Sequence, residues 1–310
     1  MEKVKSLQSS GSRSATALPL ESACIVLLIL TPLSYLPLNR NIAANLATSP
    51  TNGISITAAL LLALCAQSQL ATIYYLWACP PFKRYGEVVP KPPHRIDYIN
   101  LAQLVAQWIC AVGFLLFLLN MRSHTQPSLP ISPDFDHAPP PAVSDTSHPS
   151  TKTAMILLTV HASLSIFWAW FAGTPSRDWL DLNFVGIMGV QQYIVNPIIT
   201  ILAAVAVGLQ INTTRNDQGA SPFTRPAVAL QAFVFLALAV SWLARFRVPE
   251  NLGGKGWPWW IGEWYPLVGW ACVNNGILGV GLAISAFYAA IGRGESMTNG
   301  GGEREALLGM

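Results

Sequence analysis

Between residues 53 and 291 one pattern recurs six times: a run of about 20 or more apolar residues with no Asp, Glu or Lys inside it. A hydrocarbon core about 30 Å thick asks for roughly 20 such residues per helix. Only helices or closed barrels can satisfy their own backbone polar groups there. The pattern therefore predicts an all-α, polytopic transmembrane bundle. Its spans fall at about 20–38, 53–79, 98–121, 153–173, 184–211, 226–246 and 265–291. The first span has the weakest signal. Its apolar run, Ala23 to Leu38, is short and contains Pro32 and Pro37, and Lys3, Lys5 and Arg13 precede it as they would a signal peptide's apolar region. Seven spans are expected, or six if that segment is cleaved or reentrant.

Composition agrees with a membrane chain. Hydrophobic residues make up 52% and charged residues 11%, against about 25% charged in soluble domains. A net charge of +3 and the lack of a basic, aromatic-interleaved stripe exclude nucleic acid as a partner. The 310 residues leave no polar stretch large enough for a separate soluble domain. The tails, 1–19 and 293–310, and the Pro-rich loop 122–152 have the composition of disordered segments. Three histidines in that loop, His124, His137 and His148, read as solvated rather than metal-bound. The five cysteines sit in or beside apolar runs and read as small fillers, with no disulfide framework or metal spacing.

Loop charge sets the expected orientation. The loops on the N-terminal side hold 11 Lys and Arg, four of them between 83 and 95, and the opposite side holds 7. The bias predicts a cytosolic N-terminus and an outside or lumenal C-terminus, in the plasma membrane or an endomembrane. Asn212-Thr213-Thr214 is the one glycosylation sequon, and it falls on the outer side, which makes Asn212 a candidate acceptor. The Trp-rich stretch 257–264 with Tyr265 reads as an interfacial anchor or as a lip over the cytosolic mouth. Arg95 and Asp97 read as a surface ion pair, and Arg245 and Arg247 as cations snorkelling to the headgroups.

With charge absent from the spans, neutral polar residues carry the remaining signal. Asn100, Gln103 and Gln107 share one face of the third span, and Gln192, Asn196 and Thr200 share one of the fifth. Pro197 predicts a kink beside Asn196. Asn274 lies in the seventh span beside Asn275, Gln67 and Gln69 in the second, and Gln231 in the sixth. His161, one turn from Ser165, is the one clearly intramembrane ionisable group apart from the cysteines. These amides either join helices to one another or line a wet cavity in the middle or cytosolic half. The cavity alternative nominates Gln103, Gln107, His161, Gln192, Asn196 and Asn274 as ligand-binding residues.

Missing residues exclude several membrane chemistries. There is no lysine in 265–291 for a retinal Schiff base, no DDxxD-like run for prenyl transfer, no His-x-x-His boxes for iron, and no acidic residue inside a span for a carboxylate-coupled pump. No catalytic constellation, metal site or cofactor is expected. The expected orientation opposes that of G-protein-coupled receptors. Around Pro93-His94-Arg95-Ile96-Asp97-Tyr98, Gln191-Gln192-Tyr193-Ile194-Val195-Asn196-Pro197 and Gly269-Trp270 with Asn274-Asn275, the chain resembles multi-span membrane proteins of filamentous ascomycete fungi, a resemblance that implies no activity. The expected function is a carrier or binding protein for a neutral or amphiphilic small molecule in the lipid bilayer. The alternatives are a seven-span receptor or sensor that contacts a cytosolic partner through 81–97, and an accessory subunit with no ligand of its own.

Overall fold

The computed structural model describes residues 2–44, 54–78, 92–125, 149–172, 186, 189–216, 225–245 and 264–308; side chains are described within these except at 2–18, 166–172, 225, 267–268 and 292–308. The basic loop before Pro92, the Pro-rich segment 126–148 and the Trp-rich stretch before Trp264 lie outside the described residues. The helices are α1 (Glu2–Ala44), α2 (Ile56–Ala78), α3 (Arg95–Thr125), α4 (Thr151–Ala172), α5 (Asn196–Asn216), α6 (Arg225–Arg245) and α7 (Trp270–Leu308). Two π turns, π1 (Gln191–Val195) and π2 (Tyr265–Gly269), lead into α5 and α7. The bundle is all-α, and six of the described helices, α1, α2, α3, α5, α6 and α7, are long and apolar enough to cross a membrane. Large apolar side chains cover the outside: Ile201, Phe233, Val240 and Phe287 are 62%, 64%, 67% and 62% exposed. Such a surface is stable against lipid tails and unstable against water.

Helix pairing closes six of the helices into a ring. α1 packs on α3, α3 on α2, α2 on α5, α5 on α7, α7 on α6, and α6 back on α1. α4 lies outside, packed on α2. Two ends of the ring are distinguished below: the Ser55 end, with the start of α2, and the Tyr265 end, with both π turns.

Close approach between helices rests on two glycines of α7. A Cβ at Gly279 would sit 2.7 Å from Leu236 Cγ and 2.9 Å from the Leu236 backbone nitrogen, and one at Gly281 would overlap Val207. Small residues let backbones come this near, and in lipid such contact supplies much of the attraction between helices.

α1 runs unbroken through Pro19, Pro32 and Pro37, a continuous helix where the first span is expected, while several other sequence expectations are corrected. Flanking helices α3 and α6 hold it, and prolines are tolerated in such helices where neighbours re-satisfy the freed carbonyls. The tails expected to be disordered are helical in their described residues, α1 starting at Glu2 and α7 reaching Leu308. Extending an existing helix costs far less than nucleating one. Arg245 does not snorkel. It is 8% exposed, donates from Nη1 to Asn100 Oδ1 at 3.1 Å and from Nη2 to Ser241 Oγ at 2.9 Å, and lies 4.6 Å over the Trp242 ring. Two hydrogen bonds and an aromatic face replace the headgroup water. Asp97 accepts the His94 N–H at Oδ2, 2.8 Å, while its own N–H donates to the His94 carbonyl at 3.0 Å. That reciprocal cap starts α3 and takes the place of the expected ion pair with Arg95.

Candidate functional site

The face of α3 that carries Asn100, Gln103 and Gln107 turns into the ring, and each residue meets a different helix. Asn100 accepts from Arg245 on α6. Gln103 Nε2 donates to Thr31 Oγ1 on α1 at 2.7 Å. Gln107 Nε2 donates to Asn275 Oδ1 on α7 at 2.8 Å, a bond that bridges the ring's interior. Asn275 Nδ2 donates to the Ala271 carbonyl at 2.7 Å. A carbonyl only accepts, so this bond fixes which end of Asn275 is the amine, and Asn275 in turn fixes Gln107.

The disturbance expected at Pro197 takes the form of π1. The Asn196 N–H bonds the Gln191 carbonyl, five residues back. In π2, which contains Pro266, the Trp270 N–H does the same with Tyr265. Proline cannot donate to the regular ladder, and a wide turn moves the bonding past it. The two turns meet through side chains. Tyr265 Oη lies 2.5 Å from Thr200 Oγ1 and 3.2 Å from the Asn196 carbonyl, and Thr200 Oγ1 donates to Asn274 Oδ1 at 2.6 Å. Thr72 Oγ1 of α2 donates to Asn196 Oδ1 at 3.0 Å, and Gln191 Nε2 donates to Thr72 Oγ1 at 3.0 Å. Tyr265, read from sequence as an interfacial residue, instead joins α5 to α7.

His161 stands outside the ring on α4. Its Nε2 lies 2.8 Å from Ser68 Oγ. One turn further along, Tyr75 Oη donates to the Ser165 carbonyl at 3.2 Å. These bonds tether α4 to α2. Ser68→Ala is expected to cost about 0.6 kcal/mol and to speed amide exchange in α4 while leaving α6 unchanged; equal acceleration in both helices would assign Ser68 a different role.

A cavity occupies the interior of the ring, and all six ring helices line it. Gln107 and Asn275 border it, with Gln69, Gln210, Gln231 and Ser285. Of the six residues nominated from sequence, only Gln107 reaches it. Gln103 faces α1, His161 faces α2 from outside the ring, Asn196 and Asn274 belong to the π-turn network, and Gln192 is buried in π1 without a hydrogen bond to a described residue. The cavity extends from mid-bundle toward the Ser55 end. Asn212 is exposed within α5, while Thr214 of its sequon is buried and its hydroxyl donates to the Gln210 carbonyl at 2.9 Å.

Two of the four glutamines that line the cavity differ from the other two. Gln69 is 5% exposed and Gln231 is 3% exposed, both line the cavity, and neither hydrogen-bonds a described residue. By contrast Gln210 is engaged: Oε1 accepts the Ser55 N–H at 3.1 Å and Nε2 donates to Thr214 Oγ1 at 3.1 Å. Sequence reasoning grouped Gln69 with Gln67 and Thr72 in the second span and placed Gln231 in the sixth, and nominated neither glutamine for the site. No known protein family, curated protein or solved structure matches this chain.

Proposed function

We propose that this integral membrane protein is a carrier or binding protein for a neutral or amphiphilic small molecule, held inside the six-helix ring. The observation that carries the reading is the pair Gln69 and Gln231, buried against a shared cavity with no hydrogen bond to any described residue. An unpaired amide in hydrocarbon costs on the order of several kcal/mol, and an occupant with matching groups removes that cost. No charged residue lines the cavity, which favours neutral occupants over ions. Under the orientation read from Lys and Arg, the cavity opens toward the outside or lumenal half.

Filling the cavity tests the reading. Ala111 and Ala206 lie on its wall, and Ala111→Leu is expected to raise the stability of the empty protein by about 0.5–2 kcal/mol while abolishing stabilisation by any compound found in a thermal-shift screen of neutral molecules on the purified protein. A compound that stabilised wild type and Ala111→Leu equally would show that the cavity is not its site. The paired amides Gln103–Thr31 and Asn196–Thr72 support helix joining for those positions, so their substitution is expected to change stability and leave ligand selectivity alone.

A further inference from the structure

The order of residues along the cavity says more about what fills it. On α7 the lining runs from Asn275 through Leu278, Gly281 and Leu282 to Ser285, an axial distance of about 15 Å at 1.5 Å per residue. On α2 it runs from Ala58 to Gln69, about 16 Å by the same rise. Polar groups gather at the two ends. Gln69, Gln107 and Asn275 stand at the deep end; Gln210, Gln231 and Ser285 stand at the Ser55 end. The wall between is Leu62, Ala66, Ala111, Phe114, Val207 and Leu278, with Cys65 and Tyr35, whose ring packs edge-on against Phe114, the exceptions.

At each end one glutamine is uncommitted. Gln107 and Asn275 bond each other, Gln210 is held by Ser55 and Thr214, and Ser285 Oγ donates to the Gly281 carbonyl at 3.0 Å. Gln69 remains at the deep end and Gln231 at the other. The space open to the centres of water-sized molecules is ≈ 90 Å³. Spread over the length of the cavity, that is a narrow bore, suited to one extended chain.

Building on the binding role proposed above, we infer that the cavity takes a linear, neutral molecule with a hydrogen-bonding group at each end, one meeting Gln69 and the other Gln231. Each glutamine offers both a donor and an acceptor, so a hydroxyl or a primary amide serves at either end. The apolar wall supplies burial for the chain between them. A charged end group finds no counter-charge in the lining.

The full chain in lipid nanodiscs tests this with 1,10-decanediol, 1-decanol and decane, whose binding is followed by ligand-observed NMR. Ala111→Leu on α3 and Ala206→Leu on α5 set the level due to partition into lipid. The diol is expected to bind at least tenfold more tightly than the alcohol, and decane no better than in the blocked variants. Gln69→Leu or Gln231→Leu is expected to reduce the diol to the affinity of the alcohol while the protein keeps its folded yield. Equal, cavity-dependent binding of diol and alcohol would overturn the two-ended inference and leave the binding role standing. Binding that neither blocked variant reduced, or none at all, would overturn both.

Discussion

Gly279→Ala is expected to destabilise the bundle by about 1–3 kcal/mol and to lower the yield of folded protein. The added methyl would lie 2.9 Å from the backbone nitrogen of Leu236 as well as 2.7 Å from its Cγ. A side-chain clash alone could be relieved by a rotamer change, but a backbone clash requires α6 and α7 to separate. Separation would spread from this point, because α6 and α7 close the ring between α5 and α1. Gly113→Ala is the control. Nothing lies within 4 Å of its added Cβ, and removing a mid-helix glycine is expected to stabilise by about 0.4–1 kcal/mol. Unfolding of the two variants in mixed micelles by increasing denaturing detergent should move in opposite directions. A matching loss in both would mean that helix packing at Gly279 is looser than the structure has it.

Asn275→Leu is expected to have the second-largest effect, about 1–3 kcal/mol. Gln107 Oε1 is already buried without a partner, so loss of Asn275 Oδ1 leaves the whole Gln107 amide unpaired. The reverse change, Gln107→Leu, orphans only Asn275 Oδ1, because Asn275 Nδ2 keeps the Ala271 carbonyl. It is expected to cost less. The double variant removes both polar groups from the ring interior and should recover part of the loss seen in Asn275→Leu, since two apolar partners leave nothing unsatisfied. A double variant whose loss equals the sum of the single losses would argue that the two residues do not interact.

The oil-facing exterior was legible from the sequence because it depends on local composition alone. Runs such as 226–244 contain no charge to place in lipid, and the residues that face outward there, Phe233 and Val240, are ones lipid accepts. Which helices touch was not legible, because an apolar run fixes a span and says nothing of its neighbours. The shared face of Asn100, Gln103 and Gln107 was read correctly as inward, yet the sequence held no sign that α6, α1 and α7 would each claim one residue. Asn274 and Asn275 show the same limit. Adjacent on the helix, they point about 100° apart, one to Thr200 and the other to Gln107. Gln69 and Gln231 matter because they lack partners, a property that exists only once the helices are assembled. Arg245 was misread because a cation near a span's end usually reaches for water, and only the assembled ring reveals Asn100 and Trp242 beside it.

Each wide turn holds one residue more than an ordinary α turn would. Losing a single residue from 191–195 would let the backbone heal into an uninterrupted helix, with its N–H groups re-paired four back instead of five. The same deletion in α2 or α6, which have no such slack, would swing every later side chain by about 100° and scramble the inward face. Length variation within the membrane is therefore expected to be tolerated at these two places first, and a scan of single-residue deletions for folded yield would reveal them as twin islands.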